Sequence, residues 1–321
     1  MGIRKRLYWG SAVVEIWPNF FIVGAAKAGT TSLYAYLKQH PEIFMPRVKE
    51  PHYFAQIRPS PEMRHLYEIV NDRKKYLSLF AKARGYAAIG DASPSYLWEP
   101  QAPRRIREVV PQAKIIILLR DPVERAHSHY LADIREGVHN LGFYEALCYD
   151  MAREVKGWGI SWLYIELGQY AAQVRRYLDI FGPEQTRVFL FEDLKRDSNR
   201  VLLEIARFLG VDTDAVARID TSEAHNAYAM SRGRWAQRLA GAKLSRFLGR
   251  TVVPRPIGQF IFDRILLKPG PKPDIDPRAK KLLCEIFEPE VNELEHLLGR
   301  PLPELRRSWG NEYLSGKISV L

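Results

Sequence analysis

The stretch FFIVGAAKAGTTSLYAYL, residues 20–37, constrains the fold more than any other. Phe20 to Val23 is a short apolar run without polar alternation, the pattern of a strand buried on both faces. It enters a loop of small residues, and a helical pattern from about Thr30 to Gln39 follows. Gly24 and Gly29 stand at the G-x-x-x-x-G spacing of a nucleotide-binding loop. That motif requires lysine directly after the second glycine, where this chain has Thr30. Its lysine, Lys27, sits inside the loop instead. Small residues over 24–29 let backbone N–H groups approach an anion, and the helix behind them points its N-terminus at the same place. Thr30, Thr31 and Ser32 add hydroxyl donors, and Lys27 adds a mobile cation. Strand, loop, hydroxyl cluster and helix in this order predict a cradle for a phosphate or sulfate group.

The same strand-then-helix unit recurs. YAAIGD at 86–91 precedes SPSYLWEPQAPRRIREVV, AKIIILLRDP at 113–122 precedes a helix starting near Val123, and RVFLFEDL at 187–194 precedes SNRVLLEIARFLG. Alternating buried strands and helices predict a three-layer α/β domain of P-loop-like type, with a central parallel sheet flanked by helices. Val201, Leu202, Ile205, Phe208 and Leu209 repeat at helical spacing, and Gly210 closes that helix as a C-cap. Residues 123–186 read as helical and form one wall of a cleft; within them Gln173, Arg175 and Arg176 are expected to face away from Val174, Tyr177 and Leu178. Prolines break the chain over 240–277, and helical patterns return at 278–299. The expected organisation is a basic extension over 1–18, one domain over 19–310 and a tail over 311–321. In open parallel sheets ligands bind at the carboxyl ends of the strands. Lys27, Asp91, Ser93, Arg120 and Glu192 all follow apolar strands there.

Composition narrows the partner. The chain has 321 residues, 46% of them hydrophobic, and a formal net charge of +11, which points to an anionic partner (nucleic acid, an acidic membrane or a polyanionic small molecule), with a generally basic, soluble surface as the lesser alternative. Cys148 and Cys284 are far apart in helical patterns and read as inert buried thiols, neither a disulfide framework nor metal ligands. No signal-peptide core or 18-residue apolar span appears, so the expectation is a cytoplasmic protein without a transmembrane segment. The RKR start leaves open a weak contact with an anionic membrane surface.

The loop VGAAKAGTTSL resembles the 5′-phosphosulfate loop of the sulfotransferases that use 3′-phosphoadenosine-5′-phosphosulfate (PAPS), in the branch of bacterial and heparan-type carbohydrate sulfotransferases. IIILLRDPVERAHSHYL resembles the family's second motif, with Arg120 ending a strand and Ser128 eight places on. The resemblance implies that these two bind the 3′-phosphate. MPRVKEPHYF resembles the segment carrying the catalytic glutamate, which would be Glu50. HNAYAMSRGRWAQRL resembles the loop closing over the 3′-phosphate and adenine, with Arg232 and Gly233 as carry-over and Arg234 a weaker candidate. The likeness runs from about residue 19 to about 300, with YIELGQYAAQVRRYLDIFGPEQTRVFLFEDLKRD as the family's middle section.

On this reading PAPS is the donor, the product is 3′-phosphoadenosine-5′-phosphate (PAP), and no metal is required. Lys27 stabilises charge on the leaving phosphate, and Ala28, Gly29, Thr30, Thr31 and Ser32 hold the 5′-phosphate. Glu50 takes the proton of an acceptor hydroxyl or, less favoured, amine on a carbohydrate, glycolipid or other small molecule. His52 is an alternative base, and Lys49 either tunes Glu50 or is solvated. Related sulfotransferases often carry a lysine or histidine where this chain has GDASPSYL; Ser93 there contacts sulfate or acceptor, or caps a helix. Trp158, Trp162 and Tyr164 either line an acceptor channel or belong to the core. Two other classes compete. A P-loop kinase or NTPase would share the fold, but the lysine position argues against it. A nucleic-acid- or membrane-binding protein would explain the charge, but no nucleic-acid motif is present.

Overall fold

Side chains alternate along the central strands between two separate cores. A computed structural model describes residues 15–56, 69–154, 162–222, 229–231, 267–269 and 272–310. In β1 (Phe20–Gly24), Phe21 and Val23 join one apolar cluster, and Phe20 and Ile22 join the other. In β4 (Lys114–Leu119), Ile115, Ile117 and Leu119 face the first cluster, and Ile116 and Leu118 the second. This period of two, apolar on both sides, is why the strands read as unbroken hydrophobic runs. Each such buried side chain stabilises the fold by roughly 1.5–3 kcal/mol.

With β2 (Ile43–Phe44), β3 (Ala88–Ala92) and β5 (Thr186–Leu190) these strands form a five-stranded sheet of order β2-β3-β1-β4-β5. All its pairs are parallel. On one face lie α1 (Thr30–Leu37) and, after α2 (Arg73–Ser78) to α8 (Phe191–Arg196), α9 (Ser198–Leu209). The other face is covered by α4 (Ala102–Val109), α5 (Pro122–Glu136), α6 (Phe143–Ala152), α7 (Tyr170–Gln185) and α10 (Pro277–Leu298). Two short strands, β6 (Ala229–Ser231) and β7 (Leu267–Pro269), pair antiparallel apart from the main sheet. The three-layer α/β fold with a parallel sheet is the one expected. Among the described residues no helix is long and apolar enough to cross a membrane.

Local chemistry sets the helix ends. Asp121 caps α5, accepting from the backbone N–H of Val123 at 2.9 Å and Glu124 at 3.3 Å, with Pro122 in the first turn. Gly210 ends α9 in the left-handed region, as expected. The helical pattern after β3 divides into α3 (Ser95–Trp98) and α4, because Glu99 precedes Pro100 and adopts extended backbone.

Two expectations fail on this face of the sheet. Gln173 does not face outward with Arg175: it is buried, and its side-chain amide donates to the Glu166 carbonyl at 2.7 Å. An amide that caps an internal carbonyl satisfies both groups, so helical polarity alone misplaced it. Cys284 is buried, but Cys148 is only half-buried.

The chain leaves β1 toward β2 on one side and leaves β4 toward β5 on the other. The carboxyl ends of β1 and β4 therefore flank the point where the connections diverge, the place where open α/β sheets hold ligands. Lys27 follows the first strand and Arg120 the second.

Candidate active site

The loop after β1 is held from below. Ala25 N–H donates to the Leu118 carbonyl at 2.7 Å, and Ala28 N–H to the Ala25 carbonyl at 3.2 Å. Gly29 begins α1 with φ of +93°, and no side chain caps the first turn. A Cβ at Gly29 would lie 2.5 Å from Phe191 Cδ2, and one at Gly24 would lie 2.5 Å from Leu97 Cβ. Both glycines are thus required by close packing, and the first also by its backbone. The uncapped first turn leaves N–H groups directed at the loop opening. Thr30 and Ser32 are buried, and the Ser32 hydroxyl hydrogen-bonds Tyr36; Thr31 is half-buried at the helix start. Lys27 is half-buried with φ of +65°. Among the described residues no side chain pairs with its ammonium group.

A cationic corner adjoins the loop. Arg120 donates to the Lys27 carbonyl at 3.5 Å, to Ser128 Oγ at 3.2 Å and to Glu124 Oε2 at 2.6 Å. Its guanidinium lies 4.7 Å from the centre of the Phe191 ring. Phe191 therefore packs against Gly29 and Arg120 together, and nothing in the sequence pattern singles it out. Lys272 Nζ donates to Ser128 Oγ at 3.3 Å. Burial, and then the nearby Arg120 charge, bring Lys272 down to about 8. This lysine lies in the proline-broken connection, where sequence reading found no site. Asp121, at the foot of this corner, also accepts from Ser308 N–H at 2.8 Å and Trp309 Nε1 at 3.2 Å. The end of the described chain is thereby pinned beneath Arg120. Arg232, Gly233, Arg234 and Trp158 lie outside the described residues.

On the other side of Lys27 is the Glu50 loop. Glu50, His52 and Gln56 have φ of +60°, +57° and +48°. Pro51 keeps Glu50 out of the right-handed helical region, and here the residue takes left-handed backbone rather than extended. Glu50 N–H donates to the Ala92 carbonyl at 3.1 Å. Its carboxylate is ion-paired with Lys49 and lies 3.8 Å from His52 Nε2. Burial raises its pKa, but its basic neighbours, above all the charge and hydrogen bond of Lys49 and then the charge of Lys27, outweigh burial and hold it below the usual carboxylate range. Glu50 is therefore an ionised proton acceptor at neutral pH. His52 is only 2% exposed, and its Nδ1 meets Ser95 Oγ at 2.7 Å. Burial drives it down to about 4, against the pull of Glu50, so it is neutral.

Ser93 is not the cap of α3, whose N-cap position is Pro94. Its hydroxyl donates to Asp91 at 2.7 Å and accepts from His52 N–H at 3.2 Å. Asp91 also accepts from Tyr76 at 2.7 Å and Tyr96 at 2.8 Å. This fully buried acid anchors the Glu50 loop to the end of β3. Glu192, which follows β5, is ion-paired with Arg307. Among the described residues no group of three or more acids, histidines or cysteines has metal-binding geometry.

A third wall comes from α5 and residues 162–168. Tyr164 is buried; its hydroxyl donates to Asp133 Oδ2 at 2.6 Å and lies 2.8 Å from His139 Nε2. Asp150 accepts the N–H groups of Tyr164 and Ile165 at 3.0 and 3.2 Å, and buried Arg125 donates to the Tyr164 carbonyl. Burial raises Asp133 to about 7, although Tyr164 and Lys27 act in the other direction. Tyr164 is thus a core residue, while Trp162 stays half-buried beside it.

Comparisons with known proteins bear on the family and the fold. A sequence model of the sulfotransferase domain matches residues 18–246. The chain is 26% identical over 301 residues to mouse bifunctional heparan sulfate N-deacetylase/N-sulfotransferase 4, covering 90% of this chain and 31% of that protein. It is 27% identical over 270 residues to mouse carbohydrate sulfotransferase 15, covering 64% and 47%. It spans less than half the length of these curated relatives. The crystal structure of a sulfotransferase from Alicyclobacillus acidocaldarius superposes with a TM-score of 0.70 at 36% identity, over 91% of this chain and all of that one. The strand–loop–helix unit around Lys27, the match across most of the chain and the shared fold together place this protein in the sulfotransferase family of enzymes.

Proposed function

We propose that the protein transfers a sulfuryl group from PAPS to a hydroxyl, or less favourably an amine, of a glycan or glycolipid. The observation that carries this reading is the position of Lys27. Its carbonyl lies against Arg120 on one side, and its charge bears on Glu50 on the other. One loop thus joins an anion-binding corner to an ionised base.

The residues suit such a donor. The uncapped first turn of α1 and the hydroxyl of Thr31 suit the 5′-phosphosulfate, and Arg120, Ser128 and Lys272 suit the 3′-phosphate. When bound, PAPS supplies a sulfuryl group on a phosphate leaving group. Lys27 offsets the charge that grows on that phosphate as its bond to sulfur breaks. Glu50 accepts the acceptor proton as the new sulfur–oxygen bond forms. Neutral His52, fixed by Ser95, borders the carboxylate and adds no competing charge. The chemistry requires positioning and charge stabilisation rather than a metal. The printed names of the relatives, a heparan sulfate N-sulfotransferase and a carbohydrate sulfotransferase, support a glycan acceptor. A cytoplasmic location is part of the proposal.

The test is calorimetry with PAP and with Mg-ATP, followed by incubation with labelled PAPS and a panel of glycan and lipid extracts. Tight PAP binding without added metal, and products heavier by one sulfate, are expected. Tight ATP binding with metal-dependent phosphoryl transfer would overturn the reading.

A further inference from the structure

The cationic corner contains an anion of its own. Glu124 stands in the first turn of α5, where an acid suits the positive end of the helix. Its half-buried side chain closes on Arg120. One oxygen, Oε2, accepts from Arg120 Nε at 3.2 Å and from Nη2 at 2.6 Å. Arg120 Nη1 instead meets the Lys27 carbonyl at 3.5 Å and Ser128 Oγ at 3.2 Å. Glu124 thus takes the Nε–Nη2 edge of the guanidinium, and two longer, neutral contacts take the Nη1 end.

Two further cations bear on the same carboxylate. Burial raises Glu124, but the hydrogen bond and charge of Arg120, and then the charges of Lys272 and Arg307, outweigh burial and hold it below the usual carboxylate range. Glu124 is therefore ionised at neutral pH. Ser128 Oγ accepts from both Arg120 and Lys272, at 3.2 and 3.3 Å. Two cations converging on one neutral oxygen leave positive charge that an anion can take up. The distances decide which contacts yield to it. The Nη1 contacts at 3.2 and 3.5 Å are long, whereas the 2.6 Å contact with Glu124 is short and charge-assisted. A phosphate therefore enters at Nη1, Ser128 and Lys272, and Glu124 stays on the opposite edge.

We infer that Glu124 limits how tightly this corner holds the donor's 3′-phosphate: it keeps Arg120 in place while setting a fixed negative charge beside the bound phosphate, and so favours release of PAP. The inference rests on the donor reading above. Two anions on one guanidinium repel each other, and more strongly in a half-buried corner than in water. A corner built for the tightest hold would fix Arg120 with neutral acceptors alone, as Ser128 and the Lys27 carbonyl already do at Nη1. A carboxylate on the other edge gives the same orientation with a weaker hold.

The test uses the full chain and calorimetry with PAP and with 5′-AMP, which lacks the 3′-phosphate. Glu124→Gln keeps the length of the side chain and an oxygen for Arg120 but removes the charge. It should bind PAP at least about fivefold more tightly than the parent and 5′-AMP within about twofold. Rapid mixing should show slower dissociation of PAP from this variant. Glu124→Asp keeps the charge and should gain no affinity for PAP. A urea midpoint near the parent's reports that each variant folds. Unchanged or weaker PAP binding by Glu124→Gln would overturn the inference and leave Glu124 a support for Arg120. Equal tightening toward PAP and 5′-AMP would overturn the link to the 3′-phosphate, and tightening in Glu124→Asp would overturn the role of charge. Failure of the parent to bind PAP would instead overturn the donor reading beneath it.

Discussion

The two sides of Lys27 are built differently. The side proposed to hold the donor is built from two local units: a strand, a glycine loop and a helix start, and one more strand ending in Arg120. Each of its two strand–loop–helix units is continuous in sequence, although Lys27 and Arg120 are 93 residues apart, and their side chains are small, hydroxylated or cationic. The side proposed to meet the acceptor is assembled from separate loops and helices. Glu50 sits on a loop with three left-handed residues, anchored to Asp91 forty-one places on, while Asp133, His139, Asp150 and Trp162 come from separate segments. A phosphate is met by the same few devices in many folds, so the donor side uses a general solution. An acceptor is met by shape, which neighbours distant in the chain supply. The contrast predicts that changes on the two sides separate cleanly into turnover and donor affinity.

The largest expected effect tests that separation directly. Glu50→Gln keeps shape and hydrogen bonding but cannot take a proton. It should lower kcat by at least ~10²-fold and leave PAP affinity within a few-fold of the parent. Turnover would be measured with the acceptor identified in the extract screen. Lys27→Ala should damage turnover and donor handling together, because Lys27 belongs to both sides. His52→Asn should retain most activity, since the imidazole is buried and neutral. A dead His52→Asn beside an active Glu50→Gln would exchange the two roles.

The second prediction addresses the donor side alone. Arg120→Ala removes a charge-assisted partner worth roughly 1.5–3 kcal/mol, about 10- to 150-fold in affinity. The loss should appear for PAP and be far smaller for 5′-AMP, which has no 3′-phosphate. Equal losses in calorimetry would mean that Arg120 acts through its contacts with Phe191 and the Lys27 carbonyl, as a support for the loop. Gly29→Ala tests that support next. The new methyl would meet the Phe191 ring at 2.5 Å in a backbone with φ of +93°. A destabilisation of about 1–3 kcal/mol in urea unfolding is expected, with PAP affinity reduced because the helix start must shift. An unchanged midpoint would show that Phe191 yields freely.

How much was legible follows the same division. Buried parallel strands announce themselves as apolar runs, so the sheet and the loop around Lys27 could be read directly. Arg120 and Ser128 lie on one strand–helix unit, and helical spacing brings them within 3.2 Å. Phe191 gave no signal, because an aromatic at a strand end reads as core whether or not it carries a guanidinium. Asp91 and Ser93 stand out in the sequence, but their use does not: of the three hydroxyls that converge on the acid, Ser93 and Tyr96 lie within five residues of it and Tyr76 comes from α2, and no periodicity encodes that. Nothing in the sequence separates Asp133 and Asp150 from ordinary polar positions on solvated helices. Burial alone gives them meaning, and burial is a property of the whole fold. Lys272 was hidden by its surroundings, a run of prolines that reads only as a break.

That lysine supplies the smallest and most specific prediction. Lys272 shares Ser128 with Arg120, and its burial beside that charge brings it to about 8. A lysine binds phosphate as a cation, so the sign is fixed. Below pH 8 the charge is present in the free protein, and affinity for PAP should be level. As pH rises through 8 the proton is lost, and affinity should fall, by roughly five- to tenfold between pH 7.5 and 9. Arg120 keeps its charge over this range, so the site weakens without vanishing. Lys272→Gln should begin with weaker binding and show a flat profile, and 5′-AMP should give a flat profile with the parent protein. Calorimetry across this interval, in buffers of different ionisation enthalpy, would also register proton uptake by the parent near pH 8 and none by the variant. A slope that survives Lys272→Gln would assign the titration to another group and leave the 3′-phosphate corner to Arg120 and Ser128. The proposed donor side would then rest on its two strand–loop–helix units alone, and the contrast between the two sides would sharpen.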